Sequence, residues 1–252
     1  MKCRHCQSII SLELCNLGFA PVSNGYLTKE ALSAKETYYP LRVGVCNSCW
    51  LVQTEDFSSP EELFSSDYAY FSSASSSFLA HAKSYVQMIE QRLNLNSSSL
   101  VCEIASNDGY LLKNFKEKNI PCYGVEPTHS TAEVSEKLGI ENIKEFFGVE
   151  LAKELVMKDM QCDLVLGNNV FAHVPDINDF TSGIATLLKP SGVVTLEFPH
   201  LLRLLESCQF DTIYHEHYSY LSLHAVQKIF NKAGLRIFDI EEIDTHGGSI
   251  RV

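Results

Sequence analysis

The order of apolar and polar positions separates a cysteine-rich N-terminal stretch from a longer region in which two patterns alternate. From residue 78 onward, segments with apolar residues at helical spacing are followed by short apolar runs, which are typical of buried strands. The first predicted helix covers Phe78–Leu93, and the first predicted strand covers Leu100–Ala105. Strands that alternate with helices predict an α/β fold with a mostly parallel, doubly wound sheet.

The remaining predicted elements continue this alternation to the end of the sequence. We expect strands at 122–126, 142–146, 163–168, 192–198 and 235–243, and the start of another at 248–252. We expect helices from about residue 110 and at 129–138, 148–158, 178–188 and 222–233. Ligands of doubly wound folds bind outside the C-terminal ends of the strands, so the residues that follow each strand are the candidate site residues.

Two Cys-x-x-Cys pairs dominate the N-terminal stretch. Each pair places two thiolates on one side of a tight turn, and two pairs supply the tetrahedral sulfur set of a structural zinc ion. Accidental cysteines or a redox pair are the alternatives. Cys15 and His5 are alternative ligands, but neither has paired spacing. The predicted zinc ligands are Cys3, Cys6, Cys46 and Cys49.

Composition narrows the class of protein. The 252 residues carry a formal net charge of −11, which argues against nucleic-acid binding because phosphate neutralisation needs clustered Lys and Arg. No apolar stretch is long enough to cross a membrane, and the N-terminus lacks the apolar region of a signal peptide. We therefore expect a cytoplasmic protein with reduced thiols and no membrane or nucleic-acid partner.

A loop of small and acidic residues follows the first predicted strand, between Glu103 and Gly109. Acidic side chains are unfavourable beside a diphosphate but suit a cationic ligand such as a sulfonium. Glu126, at the end of the next strand, is placed to accept hydrogen bonds from ribose hydroxyls, which fits NAD and S-adenosylmethionine alike. The loop lacks G-x-G-x-x-G, which disfavours NAD, and a plain strand–turn–helix is the other alternative. The predicted cofactor-binding residues are Glu103, Ala105, Ser106, Asn107, Gly109, Glu126, Pro127 and Asn168.

Six segments, spread over essentially the whole chain, carry a resemblance to a known family. They are Cys49-Trp-Leu-Val-Gln53, Asp67-Tyr-Ala-Tyr-Phe-Ser-Ser73, Glu103-Ile-Ala-Ser-Asn-Asp-Gly109, His173-Val-Pro-Asp176, Phe210-Asp-Thr-Ile-Tyr-His-Glu-His217 and His246-Gly-Gly-Ser-Ile-Arg251. The chain resembles the nucleotide-sugar C-methyltransferases, which methylate C-3′ of dTDP-linked 4-keto-deoxysugars. The resemblance implies a class I, Rossmann-like domain that uses S-adenosylmethionine, preceded by a zinc domain.

The resemblance also implies roles for the most distinctive segment. His217 would remove the proton next to the ketone, and Glu216 would orient that imidazole or contact the sugar. Tyr68, Tyr214 and His173 would donate hydrogen bonds to sugar oxygens, including the enolate. In a regular strand 214 and 216 face away from 215 and 217, so a shared site requires a loop or a twisted edge. A polar edge strand and a two-histidine metal pair are the alternatives.

Two departures from the family set limits on these expectations. Trp50 stands where the family usually has Gly. Family members also continue into a further C-terminal domain, so either this sequence is a fragment, another chain supplies that domain, or the substrate differs. The expected division is 1–56 zinc-binding domain, 57–78 connector contributing to the active site, and 79–252 methyltransferase domain. An O- or N-methyltransferase for a small metabolite and a truncated, non-catalytic zinc- and cofactor-binding module are the alternative functions.

Overall fold

The computed structural model describes residues 1–57 and 71–252, which form two units whose segments interleave along the sequence. Of the described residues, the first unit contains 1–57, 169–178 and 197–252. The second unit contains 71–168 and 179–196. The chain therefore passes more than once between the two units, which local patterns in the sequence did not indicate.

Strands and helices are numbered in chain order. The strands are β1 Leu12–Ala20, β2 Tyr39–Val45, β3 Val52–Thr54, β4 Val101–Ile104, β5 Cys122–Val125, β6 Glu141–Ile143, β7 Cys162–Asn168, β8 Leu188–Pro199, β9 Ser219–Tyr220, β10 Glu241–Ile243 and β11 Ser249–Arg251. The helices are α1 Ser76–Leu93, α2 Leu112–Glu117, α3 His129–Lys137, α4 Val149–Met157, α5 Ile177–Leu187, α6 Leu201–Glu206 and α7 Leu223–Lys232.

The second unit contains the parallel sheet that the alternation predicted. Its strands lie in the order β8-β7-β4-β5-β6, and β4 pairs in parallel with both β5 and β7. Helix α1 begins where the Ser75 side chain accepts a hydrogen bond from the Phe78 N–H, and it ends at Asn94 in the left-handed conformation. Its buried residues recur at helical spacing and pack on the sheet: Ala82, Tyr85, Val86 and Ile89.

The first unit contains a second, antiparallel sheet in the order β1-β2-β3-β9. Strand β9 comes from much later in the sequence, and its Tyr220 lies opposite Val52 of β3. Leu41 and Val43 of β2 form one apolar cluster with Leu201 and Leu204 of α6. Residues from both ends of the chain therefore form one core, which holds the segment before β9 close to the cysteine pairs.

The structure confirms the predicted fold class and most of the predicted elements. The strand predicted at Leu235–Ile243 is wrong except for its last residues, because only β10, Glu241–Ile243, pairs with another strand. Phe238 and Ile240 are 55% and 43% exposed, so their alternating apolar pattern does not correspond to a buried face. The predicted domain boundaries at 56 and 78 stay predictions. No helix in the described ranges has the length and apolarity that crossing a membrane requires.

Candidate active site and metal centre

The two Cys-x-x-Cys pairs fold into knuckles with the same backbone geometry. In the first knuckle the Gln7 N–H donates to the Cys3 carbonyl at 2.9 Å, and in the second the Trp50 N–H donates to the Cys46 carbonyl at 2.8 Å. Gln7 and Trp50 both have left-handed backbones, with φ of 63° and 66°. A residue after the knuckle must adopt this conformation, which explains why glycine is usual where Trp50 stands.

The knuckles bring four thiols together. All four Sγ atoms lie within 4.8 Å of one another, with Cys3 and Cys49 3.4 Å apart and Cys6 and Cys46 3.5 Å apart. Tetrahedral zinc with Zn–S bonds of about 2.3 Å needs sulfur atoms about 3.8 Å apart. The spacing and chemistry of the four sulfurs therefore fit zinc, and four ligands leave no open position for substrate.

His5 and Cys15, the two alternative metal ligands, lie in environments that do not favour binding zinc. The His5 Nδ1 atom lies 2.7 Å from the Asn178 side-chain oxygen, which it binds as a donor. Cys15 lies on β1, and burial raises the pKa of its thiol, which disfavours the thiolate that zinc needs. The metal-ligating cluster found within the described ranges contains neither of them.

The loop after β4 is held in shape by Glu126. The Glu126 carboxylate accepts the Asn107 N–H and the Thr128 N–H, both at 2.8 Å, and so joins the loops after β4 and β5. Ala105 and Asn107 have left-handed backbones, with φ of 57° and 51°. Gly109 is required, because its φ is 76° and an added Cβ would lie 2.5 Å from the Ser135 hydroxyl. The loop is therefore a tightly specified backbone surface at the C-terminal edge of the sheet.

This loop contains buried acidic oxygens that lack partners. Glu103 and Asp108 are each 1% exposed, and Glu103 Oε2 and Asp108 Oδ1 have no hydrogen-bond partner among the described residues. Burial, and then the nearby Glu126 and Asp108 carboxylates, raise the pKa of Glu103 well above its usual value. A positively charged ligand would relieve this repulsion, so the loop fits a cofactor with an ammonium and a sulfonium group.

Residues outside the loop after β4 also hold it in place. The Ser72 and Ser73 N–H groups, at the end of the connector, donate to Asn107 Oδ1 and Asp108 Oδ2 at 3.0 and 3.1 Å. Ser106, predicted to bind cofactor, is fully buried and its hydroxyl donates to Asn142 Oδ1. Two further candidates follow strands: Pro127 comes directly after Glu126, and Asn168, which ends β7, has a buried Oδ1 without a partner in the described ranges.

In the first unit, a turn brings Tyr214 onto His217. The His217 N–H donates to the Tyr214 carbonyl at 3.1 Å, and the two rings stack with centroids 4.0 Å apart. His217 Nδ1 lies 2.9 Å from the Thr212 carbonyl, and Nε2 lies 2.8 Å from the Tyr214 hydroxyl. Because a carbonyl only accepts, Nδ1 carries the proton, and the neutral ring presents its lone pair at Nε2. The segment is thus a turn rather than a strand.

His173 lies beside this pair. Its Nδ1 donates to the Glu216 carbonyl at 2.8 Å, and its ring centroid is 4.6 Å from that of His217. Burial lowers the pKa of His173, and burial together with the neighbouring His173 lowers the pKa of His217 well below its usual value. Both imidazoles are therefore neutral near pH 7, and His217 is able to accept a proton.

Glu216 is directed away from the His217 ring. Its Oε1 accepts the Ser23 hydroxyl at 2.7 Å and the Asn24 N–H at 3.0 Å, so it does not orient the imidazole through a hydrogen bond to either ring nitrogen. Glu216 is 1% exposed, and its Oε2 has no partner within the described ranges. The sequence analysis missed Ser23 and Asn24, because nothing local distinguishes them from other polar loop residues.

The structure groups the predicted site residues by unit. His217, Glu216, Tyr214 and His173 come together in the first unit, close in the fold to the zinc knuckles. The predicted cofactor residues all lie in the second unit, where the Glu126 carboxylate bonds to the Asn107 N–H. Tyr68, the remaining catalytic candidate, lies outside the described residues.

Family comparisons agree with this arrangement. Residues 78–240 match the family model described as "Methyltransferase domain", and residues 3–64 match one described as "Putative zinc binding domain". The chain therefore belongs to the methyltransferase family, with an N-terminal zinc-binding domain. The family, the fold and the acidic loop agree on S-adenosylmethionine as the cofactor, and the four thiols agree with zinc as the metal.

Individual relatives add detail. The chain is 36% identical over 251 residues to the C-methyltransferase NovU of Streptomyces niveus, an alignment that covers 100% of this chain and 60% of NovU. A SAM-dependent methyltransferase from Archaeoglobus fulgidus is similar in fold, with a TM-score of 0.56, 20% identity, and coverage of 66% of this chain and 73% of that one. Magnesium protoporphyrin IX methyltransferase from Synechocystis PCC 6803, solved with bound SAH, has a TM-score of 0.54, 16% identity, and coverage of 69% and 80%. The two solved structures support the fold alone.

Proposed function

We propose that the chain forms the zinc and cofactor domains of an S-adenosylmethionine-dependent C-methyltransferase whose substrate is a nucleotide-linked 4-keto-deoxysugar. The observation that carries the proposal is the buried, neutral His217, whose Nε2 lone pair is fixed by the bond from Nδ1 to the Thr212 carbonyl. Methylation of a carbon next to a ketone cannot begin until a base removes the C–H proton, whereas nitrogen already has a lone pair and a hydroxyl oxygen is only assisted by a base. The relation to NovU, named a C-methyltransferase, supports the same chemistry.

The cofactor site in this proposal consists of the loop after β4 and the turn after β5. The bound cofactor supplies an electrophilic methyl group. Glu103 and Asp108 present carboxylate oxygens to its cationic part, and Glu126 presents its remaining lone pairs to the ribose hydroxyls. The left-handed backbone at Ala105 and Asn107 shapes the loop that would face the cofactor, and Gly109 lets the loop pack against Ser135. We assign Ser106, Pro127 and Asn168 to the wall of this site.

The reactive carbon is prepared by groups of the first unit. The Tyr214 hydroxyl, which donates to His217 Nε2, first moves its hydrogen bond to the ketone oxygen and so frees the Nε2 lone pair. His217 Nε2 then takes the proton from the carbon next to the ketone, and the C–H electron pair moves into the enolate. The Thr212 carbonyl, which accepts from Nδ1, stabilises the imidazolium that results. The Tyr214 hydroxyl and Tyr68 are the proposed donors to the ketone and enolate oxygen, and the enolate carbon then takes the methyl group. His173 was expected to donate to the sugar as well, but it is neutral and its one N–H bonds to the Glu216 carbonyl, so its Nε2 can only accept a hydrogen bond from a sugar hydroxyl.

We propose one role for each of the three predicted segments of the chain. Residues 1–56 bind the structural zinc through Cys3, Cys6, Cys46 and Cys49, residues 57–78 contribute Tyr68 to the active site, and residues 79–252 bind the cofactor. The chain spans 60% of the length of NovU, so the nucleotide of the substrate is proposed to be held partly by protein outside this sequence.

Exchange of the substrate's α-proton with solvent tests the proposal. In D2O with a dTDP-4-keto-deoxysugar, the native protein is expected to exchange this proton, and His217→Asn is expected to reduce the exchange rate by roughly 10²- to 10⁴-fold. S-adenosylmethionine affinity, measured by calorimetry, should change less than about twofold. His215→Asn is the matched control, since the His215 ring bonds to the Pro40 carbonyl instead of joining the pair.

Two results would count against the proposal in different ways. If His217→Asn still transfers methyl groups to a small metabolite without α-proton exchange, the chain is an O- or N-methyltransferase. If the native protein fails to bind S-adenosylmethionine at near-millimolar concentration, the chain is a non-catalytic module.

A further inference from the structure

Arg4 is a buried arginine inside the first zinc knuckle, between Cys3 and Cys6. It is 8% exposed, and burying a guanidinium is costly unless the charge is paired and its N–H groups are bonded. Binding zinc requires only the flanking thiols, so the metal does not explain an arginine at this position. The contacts of the side chain indicate what it does.

The guanidinium of Arg4 bonds to several separate segments. One terminal nitrogen, Nη2, lies 2.7 Å from Asp56 Oδ1 and 3.2 Å from the Thr54 carbonyl. The other, Nη1, donates to the Pro175 carbonyl at 2.8 Å. The centre of the guanidinium lies 5.2 Å from the ring centroid of Tyr218. The Asp56 carboxylate balances the charge, and the remaining contacts use the planar geometry that distinguishes arginine from lysine.

Three of these contacts, all except that with Asp56, connect to one of the two imidazoles. Pro175 closely follows His173, and Tyr218 directly follows His217. Thr54 is linked to His217 as well, since its hydroxyl donates to the His217 carbonyl at 3.0 Å. One guanidinium therefore contacts residues bonded or adjacent to the backbone segments that carry His173 and His217.

The knuckle backbone adds a second connection to the same segment. The Asn178 amide donates to the carbonyls of Arg4 and His5 at 3.2 and 2.9 Å. The Gln53 side chain accepts from the Arg4 N–H at 2.8 Å and fixes the knuckle to β3. The segment that carries His173 is thus held at both Pro175 and Asn178 by one zinc knuckle.

We propose that Arg4 is a positioning residue, which transmits the rigid geometry of the zinc knuckle to the His173–His217 pair. Its catalytic meaning rests on the proposed function, whereas its effect on the imidazoles does not. Errors of about 1 Å in the placement of a reacting group cost about 10²-fold in rate, so the arrangement matters although Arg4 does not touch the reacting atoms. The zinc module would then contribute to catalysis without contributing a ligand or base.

The test uses Arg4→Ala and Arg4→Lys in the whole chain, with Arg42→Ala as the matched control. Arg42 lies on β2 and pairs with Glu55 at the surface, in the same zinc module but outside these contacts. Lysine keeps a charge beside Asp56 but cannot reach Pro175 and Thr54 together. The readouts are zinc content, the ring ¹⁵N and ¹H signals of His173 and His217 without substrate, and kcat and KM for the ketosugar.

We expect both Arg4 variants to retain zinc while the signals of the two imidazoles shift or broaden, and Arg42→Ala to match the native protein. Where turnover is measurable, kcat should fall roughly 10- to 100-fold in Arg4→Ala with a change of a few-fold in KM. Unchanged ring signals in both Arg4 variants, equal changes in Arg42→Ala, or loss of zinc from both would overturn the proposal. Absence of methyl transfer by the native protein would refute the proposed function, while the ring signals still decide the role of Arg4.

Discussion

The histidine pair of the first unit and the acidic loop of the second unit are both buried, but their polar groups are treated in opposite ways. His217 has a partner on each ring nitrogen, Thr212 on one side and Tyr214 on the other. Glu103 is more deeply buried and has a carboxylate oxygen without a partner among the described residues. The contrast is therefore between the His217 ring, whose two nitrogens are bonded within the protein, and the Glu103 carboxylate, which is not fully bonded.

This difference indicates which kind of ligand or substrate each region would bind. A buried imidazole whose Nδ1–H bonds to a carbonyl is neutral and fixed in one tautomer, so under the proposed function its Nε2 takes a substrate proton once the Tyr214 hydroxyl bonds elsewhere. A buried carboxyl whose pKa is raised by burial and by acidic neighbours, as at Glu103, is unfavourable as a charge until a cation binds. The first region fits the proton transfer that we propose, and the second fits a positively charged ligand.

Replacing Glu103 is expected to have the largest effect. Glu103→Gln removes the charge at constant shape, so the affinity for S-adenosylmethionine should fall roughly 10- to 100-fold, the value of a hydrogen bond to a charged group. Without ligand, the same change should raise stability at pH 7 to 8, because the unfolded chain ionises Glu103 freely whereas burial opposes its ionisation, and glutamine carries no such penalty. Calorimetry and thermal unfolding measure the two effects.

Glu197→Gln is the control, because it neutralises a buried glutamate that has a charged partner, whereas Glu103 has none among the described residues. Glu197 is as buried as Glu103, but its carboxylate pairs with Arg251 at 2.9 Å. Its replacement should destabilise the protein, because it leaves Arg251 without its buried counter-charge. If both substitutions destabilised the unliganded protein, the proposed contrast between the two regions would be wrong.

The pH dependence of stability should have opposite signs in the two regions. The folded-state pKa of His217 is depressed, so below about pH 6.5 the unfolded chain binds a proton that the native state rejects. The contribution of His217 is complete above that pH and is lost as the pH falls toward the folded pKa. The pKa of Glu103 is raised, so its contribution is complete below about pH 4.3 and is lost as the pH rises toward its folded value.

Difference curves separate the two contributions. The free energy of unfolding of the native protein minus that of His217→Asn should decrease between pH 7 and pH 5.5. The same difference for Glu103→Gln should become more negative as the pH rises above about 4.3. If both differences in the free energy of unfolding stayed constant at every pH, neither group would have a shifted pKa.

The sequence predicted those parts of both regions that depend on local spacing. The paired cysteines, the strand that contains Glu103 and the strand that precedes Glu126 are each encoded within a few residues. A loop or twisted edge at 214–217 was expected only if its four residues share one site, with a polar edge strand as the alternative. The contacts of Glu216 with Ser23 and of Arg4 with Pro175 join residues far apart in the chain, and no local pattern announces them. The strand expected from residue 235 is wrong over most of its length because a local pattern was present without the distant partner that a strand needs. Residues 235–240 alternate in polarity, but they pair with no strand in the described part of the chain.

Backbone conformation gives the smallest predicted effect. Trp50 is 51% exposed and has a left-handed backbone, which costs a bulky residue about 1 to 3 kcal/mol. Glycine removes this strain but loses about 0.5–1 kcal/mol to the entropy of the unfolded chain. Trp50→Gly is therefore expected to raise the free energy of unfolding by about 1 kcal/mol, within a range of about 0 to 2.5 kcal/mol, at unchanged zinc content, as measured by urea unfolding. Gln7→Gly, at the matching position of the first knuckle, should act in the same direction, and a loss of stability in both would mean that these side chains contribute more than their backbone strain costs.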